Sequence, residues 1–171
     1  MTRSVAGVRA VVITVSTKGA AGERADESGP AMRDALAAAG HEVISATLVT
    51  DDEDKIATAI RDAVRAGANL VLTSGGTGLS PNDVTPEATR SVIDREVPGI
   101  AEALRAGSLA KTPHGMLSRG VAGAIGAALV VNLPGSPRAV RESLEVLLPA
   151  VPHAVELLGG ESGERGHRRV G

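Results

Sequence analysis

Apolar and polar positions fall in blocks whose period switches between about 2 and about 3.6 residues along the chain, the alternation of strand and helix. Val8–Val15 (VRAVVITV) is a β-branched run with almost no polar interruption, as expected for a strand buried on both faces. Lys18–Glu27 is small and polar and reads as a loop. Ser28 then serves as a candidate cap, with Pro30 in the first turn, for a helix through Met32, Ala35, Leu36 and Ala39 that Gly40 stops. His41–Val49 reads as a second strand. Asp51 or Asp52 caps a second helix whose Ile56, Ala59, Ile60, Ala63 and Val64 share one stripe, Gly67 ends it, and Leu70–Thr73 is a third strand.

Beyond the loop Ser74–Val84, Thr85-Pro86-Glu87 reads as cap, proline and acidic first turn of a short helix to about Asp94. Pro98 starts another helix carrying Ile100, Ala103 and Leu104. Gly120–Ile125 and Ala128–Val131 read as strands with Gly126 between them. Ser136-Pro137 opens a last long helix with Val140, Leu144, Leu147 and Leu148, which Pro149 and Pro152 should bend before Leu158. From Gly159 to Gly171 the chain is polar and Gly-rich, the pattern of a disordered tail. The organisation expected is one domain over residues 1–158 and a tail over 159–171. Alternating strands and helices with short connections imply a doubly wound α/β fold, and such sheets bind ligands beyond the carboxyl ends of their strands. That places Ser74–Val84 and Asn132–Pro137 at the ligand edge.

Composition removes whole classes of function. The 171 residues hold no Phe, Tyr, Trp or Cys, which excludes aromatic stacking platforms for single-stranded nucleic acid, thiolate metal sites and thiol nucleophiles. A formal net charge of −2 gives no general attraction to nucleic acid or anionic lipid. The apolar run Ala10–Val15 is too short for a signal-peptide core, and no run reaches the roughly 18 residues that span a bilayer. A cytoplasmic protein that meets neither nucleic acid nor membrane is expected.

The most informative stretch is Ser74–Thr89, SGGTGLSPNDVTPEAT. Gly75, Gly76 and Gly78 allow close backbone approach to a ligand, and Ser74 and Thr77 add hydroxyls, so the loop can form an anion nest beside a helix start. It is neither a Walker A loop nor the dinucleotide fingerprint. A tight turn that uses glycine only to relieve strain is the alternative. Asn132–Pro137 (NLPGSP) repeats the grammar: a buried strand, Gly135, and a helix start at Ser136. Two such loops at one edge suit a ligand with several phosphates. Asp51 and Asp83 should project to the same edge, where two acids beside an anion nest call for a cation, and Mg²⁺ held by carboxylates and phosphate oxygens fits. Either aspartate can instead be a helix cap. Lys18, Arg24 and Arg119 flank strand ends and can neutralise phosphate, although a lone basic residue in a loop is ordinarily just solvated. His114 reads as a surface histidine.

These motifs resemble the signature of the molybdenum-cofactor biosynthesis domain shared by the MogA/MoaB group and the G domain of gephyrin. Besides Ser74–Thr89, the segments VSTKGAAGERADESGP, LVTDDEDKI, MLSRGVAGAIG and VVNLPGSPRAV resemble the family's other conserved stretches, in order, from about Val8 to Leu158. The resemblance implies a three-layer α/β/α sandwich with a mostly parallel sheet, typically trimeric, that adenylylates molybdopterin with Mg-ATP and releases pyrophosphate. It implies catalytic and metal-holding roles for Asp51 and Asp83. It further implies nucleotide-phosphate contacts from Ser74, Gly75, Gly76, Thr77, Gly78, Asn132, Pro134, Gly135 and Ser136, and a pterin contact from Ser118 and Arg119. Hand-over of the product to a molybdenum insertase is part of the same expectation. A core without aromatic residues also leaves subunit burial as a source of stability, consistent with a homotrimer. One departure stands out: Asn82 precedes the loop aspartate where the family commonly has Arg. Two other readings are a catalytically weak or silent molybdopterin-binding sibling and a general nucleotide-phosphate binding module.

Overall fold

The computed structural model describes residues 7–160. Six strands form one sheet: β1 (Arg9–Val15), β2 (Glu42–Val49), β3 (Leu70–Ser74), β4 (Arg95–Glu96), β5 (Ala122–Ile125) and β6 (Ala128–Leu133), in the order β2-β1-β3-β6-β5-β4. The β2, β1, β3 and β6 pairings are parallel, and β6, β5 and β4 pair antiparallel. The register aligns the strand ends, pairing Val15 with Val49, Thr14 with Ser74 and Ser74 with Leu133. Four parallel strands therefore finish at one rim, and their outgoing loops start side by side.

Among the described residues, seven helices flank the sheet: α1 (Thr17–Ala20), α2 (Ser28–Ala38), α3 (Glu53–Arg65), α4 (Thr85–Arg90), α5 (Pro98–Leu109), α6 (Pro137–Leu147) and α7 (Val151–Leu158). Alternate strand residues face opposite layers, as the pleat requires. Ala10, Val12, Leu70, Leu72, Leu129 and Val131 pack with Met32 and Leu36 of α2 and with Val140, Leu144 and Val151 of α6 and α7. Val11, Ile13, Val15, Val71 and Val130 pack with Ile56, Ile60 and Ala63 of α3 and Ala88 of α4. The result is the expected three-layer α/β/α sandwich with a mostly parallel sheet. Among the parallel strands β2 is the exception to deep burial, because it lies at the sheet edge and its Ser45, Ala46, Thr47 and Leu48 are exposed.

Several local expectations are corrected. The stretch read as a loop from Lys18 begins inside α1, whose first turn is capped by Ser16 Oγ accepting from Gly19 N at 3.0 Å. Ser28 is not a cap. Asp26 Oδ1 accepts from Gly29 N at 2.9 Å, and the buried Ser28 hydroxyl instead donates to Gly135 O at 2.8 Å, which ties α2 to the second glycine loop. Thr85 does not cap α4 either: its hydroxyl is buried without a partner against Gly76. The short helix ends at Arg90, and the residues expected to continue it lead into β4, which pairs with β5. Strand β5 begins at Ala122 rather than Gly120. A 3-10 turn over Pro113–Leu117 holds the histidine read as lying in a surface loop. The last helix is broken as expected, with a 3-10 turn at Leu148–Ala150 between α6 and α7. The tail expected beyond Leu158 lies outside the described residues except for Gly159 and Gly160.

Among the described residues, no helix is long and apolar enough to cross a membrane.

Candidate functional site

At the strand-end rim lies a cavity of about 910 Å³, within the usual range for small-molecule sites. Four loops line it. The loop after β1 contributes Ser16, Thr17, Lys18, Arg24 and Asp26, and the loop after β2 contributes Asp51. The loop after β3 contributes Gly75, Gly76, Ser80, Asn82 and Asp83, following Ser74 at the strand end, and the loop after β6 contributes Gly135 and Ser136. The alignment of strand ends is what brings these distant segments together.

Asp52, not Asp51, caps α3, with its Oδ1 accepting from Lys55 N at 2.9 Å. Asp51 is thereby free for the cavity. Its Oδ2 accepts from Thr17 N at 3.1 Å and Thr17 Oγ1 at 2.8 Å, and its own N–H donates back to Thr17 Oγ1 at 3.1 Å. Asp83 Oδ2 accepts from Ser80 N at 3.1 Å. Each carboxylate sits against a glycine: an ideal Cβ on Gly76 would lie 3.4 Å from Asp51 Oδ1, and one on Gly78 would lie 2.9 Å from Asp83 Oδ2.

Gly75 (φ +99°) and Gly76 (φ +67°) adopt left-handed conformations, and a Cβ on Gly75 would collide with the Val15 carbonyl. The two glycine loops also touch, since Gly75 N donates to Leu133 O at 3.1 Å and Ser74 Oγ to Pro134 O at 2.7 Å. The second loop starts α6 through Ser136 Oγ, which accepts from Ala139 N at 3.2 Å. The start of α6 therefore stands on the same wall as Gly75 and Gly76, and a helix start is a geometry that attracts anions.

The cavity walls carry Asp26, Glu27, Asp51 and Asp83 against Lys18 and Arg24. Asp26 is already engaged by Gly29 N and by Thr14 Oγ1 at 3.1 Å. Lys18 and Arg24 make no ion pair among the described residues, which leaves both available to an anionic ligand.

Other sequence candidates lie outside the cavity wall. Asn132 is buried behind it, its Nδ2 donating to Thr73 Oγ1 and Thr89 Oγ1 at 2.9 Å each and its Oδ1 accepting from Val121 N at 3.1 Å. Asn132→Ala would strip the Val121 N–H of its acceptor, and a loss of about 2–3 kcal/mol is expected in urea unfolding. Thr77, Gly78, Pro134, Ser118 and Arg119 also stand off the wall. Arg119 is the staple of the first glycine loop. Its backbone N–H donates to Thr77 O at 2.8 Å, its Nε to Gly78 O at 2.7 Å and its Nη2 to Asp83 O at 2.8 Å, while Nη1 pairs with Glu87 of α4. Arg105 of α5 in turn holds the carbonyls of Ser118 and Gly120.

The Arg119 hydrogen bond holds the Glu87 carboxyl below its ordinary value against the opposing effect of burial, and the Arg119 guanidinium is shifted upward by the same pair. A depressed carboxyl contributes stability above its unfolded pKa of 4.5 and loses it as pH falls through the lower folded value. The partly exposed pair is worth about 1 kcal/mol or less. The stability difference between the parent and Glu87→Gln is expected to stay constant from about pH 8 to about pH 5 and to close below the glutamate range. Urea unfolding across pH measures this, and a gap that varies with pH above 6 or so would contradict it.

Thr17, Asp26 and Arg105 went unsingled in the sequence, and Glu87 entered only as an acidic first-turn residue. Asp26 had a legible signal, standing three residues before Gly29 at a helix start. The other three act through long-range contacts that local patterns do not encode.

Fold and site together define an α/β domain with a cavity at the carboxyl rim of its sheet, lined by two glycine loops and two aspartates. Residues 11–153 match the family described as "Probable molybdopterin binding domain", and the chain belongs to this molybdenum-cofactor biosynthesis family. The crystal structure of the molybdopterin biosynthesis enzyme MoaB from Thermus thermophilus is 52% identical, covers 90% of this chain and 97% of its own, and superposes with a TM-score of 0.84. A molybdenum cofactor biosynthesis bifunctional protein of Synechococcus elongatus is 42% identical over 159 residues, 93% of this chain and 50% of the relative. A molybdopterin adenylyltransferase of Pyrococcus furiosus is 37% identical over 150 residues, 85% of this chain and 88% of the relative. The chain thus spans about half the length of the bifunctional relative.

Proposed function

We propose that this protein is a molybdopterin adenylyltransferase, a nucleotidyltransferase that uses Mg-ATP to form adenylyl-molybdopterin and pyrophosphate. The observation that supports the reading most is the convergence of both glycine loops, Asp51 and Asp83 on one cavity. Relatives that carry this activity in their names are 41% identical to the chain over 114 residues and 37% over 150.

In this reading, the terminal phosphate of molybdopterin attacks the α-phosphorus of ATP. A new P–O bond forms, the bond to the bridging oxygen breaks, and its electron pair leaves with pyrophosphate. The attacking phosphate is already an anion, so the chain needs no strong base, and its task is alignment and charge compensation. Backbone amides of Gly76, Gly135 and Ser136 hold phosphate oxygens, while Gly75 allows the close approach that a side chain there would block. Lys18 and Arg24 offset charge on the departing pyrophosphate. Asp51 and Asp83 would hold Mg²⁺. Two carboxylates on one wall suit an ion that takes one or two protein oxygens and completes its shell with phosphate and water. Bound there, Mg²⁺ would neutralise charge on the phosphates. With no aromatic residues in the chain, adenine and pterin rings lie against aliphatic side chains, peptide planes and arginine.

A homotrimer, a cytoplasmic location and delivery of the product to a molybdenum insertase complete the proposal, and light scattering at micromolar concentration tests the first. A second reading, a pterin-binding sibling without turnover, is favoured by Asn82, which lines the cavity without a fixed positive charge. Incubation with molybdopterin, ATP and Mg²⁺ separates the two. Pyrophosphate release dependent on the pterin supports the transferase, pterin binding without release supports the sibling, and ATP binding indifferent to pterin points to a general phosphate-binding module.

A further inference from the structure

Asp51 follows the exposed edge strand β2, the least buried strand of the parallel set, yet its carboxylate is held in one orientation from across the rim. Thr17 supplies that hold. Its N–H and hydroxyl both donate to Asp51 Oδ2, and its Oγ1 accepts the Asp51 N–H, which closes a reciprocal pair between the loops after β1 and β2. A second link, Ser16 N to Val49 O at 2.8 Å, keeps the same loops in register. With Oδ2 engaged twice, Oδ1 is the oxygen left facing Gly76 and the cavity.

We infer that Thr17 is a positioning residue for the proposed transfer: it occupies one oxygen of Asp51 and aims the other at the phosphate and metal side of the cavity. The inference rests on the proposed function for its consequence but not for its geometry. Residues that hydrogen-bond a metal-holding carboxylate fix its orientation, and their loss typically lowers metal affinity by about 10- to 100-fold. Thr17→Ser keeps both the hydroxyl donor and the acceptor. Thr17→Val keeps the branched shape and removes them.

The test has two parts. In the free protein, amide hydrogen exchange is followed by NMR. The Asp51 N–H is expected to exchange faster in Thr17→Val and at the parent rate in Thr17→Ser, and the Thr17 N–H resonance is expected to move in Asp51→Asn. In the second part, Mn²⁺ is titrated with a non-hydrolysable ATP analogue and read by electron paramagnetic resonance. About tenfold weaker binding is expected in Thr17→Val and parent-like binding in Thr17→Ser. In pyrophosphate release, Thr17→Val should lose kcat while its KM for molybdopterin and its thermal melting match Thr17→Ser. Unchanged Asp51 exchange in Thr17→Val, or a Thr17→Ser variant as impaired as Thr17→Val, would overturn the inference. A parent that binds no Mn²⁺ with nucleotide defeats the metal reading alone, and the amide measurements still decide the role of Thr17.

Discussion

Asp83→Asn is expected to slow adenylyl transfer by about 10²- to 10³-fold while leaving molybdopterin affinity nearly unchanged. The asparagine amide oxygen can still accept from Ser80 N, the bond that Asp83 Oδ2 makes at 3.1 Å, so the turn of the glycine loop is preserved. The loop is also held independently by Arg119 through the carbonyls of Gly78 and Asp83. What the substitution removes is negative charge on the cavity wall, which the proposed chemistry needs where Mg²⁺ meets the phosphates. Asp83→Ala should be at least as inactive, and it additionally loses the Ser80 bond. Pyrophosphate release alongside calorimetric titration of molybdopterin distinguishes the outcomes. Turnover in Asp83→Asn equal to the parent would remove Asp83 from the chemistry.

Gly76→Ala should damage both the stability and the activity carried by the glycine loop. The φ of +67° at Gly76 costs a non-glycine residue about 1–2 kcal/mol. A Cβ there would also run into the Thr85 hydroxyl and stand 3.3 Å from Thr85 Cβ. Thr85 is fully buried and cannot swing away. Strain and clash together should lower stability by about 2–4 kcal/mol. Because Asp51 Oδ1 lies beside the same position, transfer should fall by more than the stability loss explains. Gly126→Ala is the control: its φ of +53° imposes the conformational cost, but nothing lies within 4 Å of the new methyl group. Denaturant unfolding of both variants separates the two causes. Equal losses would mean that the Thr85 contact costs nothing.

The parallel core of this fold was legible because β1, β3 and β6 are largely apolar, β-branched-rich runs and α3 and α6 carry single apolar stripes. The site's location followed from the same reading, since glycine loops after parallel strands open at one edge. The failures share a cause. Ser28 and Thr85 look like caps locally, but tertiary contacts claim their hydroxyls, one for the Gly135 carbonyl and the other for the packing against Gly76. Asn132 looks like a loop residue with a ligand role, yet its three hydrogen bonds join β3, α4 and the segment before β5. Strand β4 has two residues and pairs only through β5, too short for any periodicity to reveal. The choice between Asp51 and Asp52 as cap depended on Thr17, 34 positions away in the chain, and no local pattern carries that information.

In the proposed function, polyanionic ligands are gripped by main-chain amides of two glycine loops at one rim of the sheet, with Asp51 and Asp83 beside them. A crystal structure of the protein with molybdopterin, Mg²⁺ and a non-hydrolysable ATP analogue tests it most directly. Phosphate oxygens are expected within hydrogen-bonding distance of the Gly76 amide and of the amides at Gly135–Ser136, with the ion between phosphate and an aspartate. Ligands seated in the groove between β2 and α3, or phosphates that touch neither glycine loop, would contradict it.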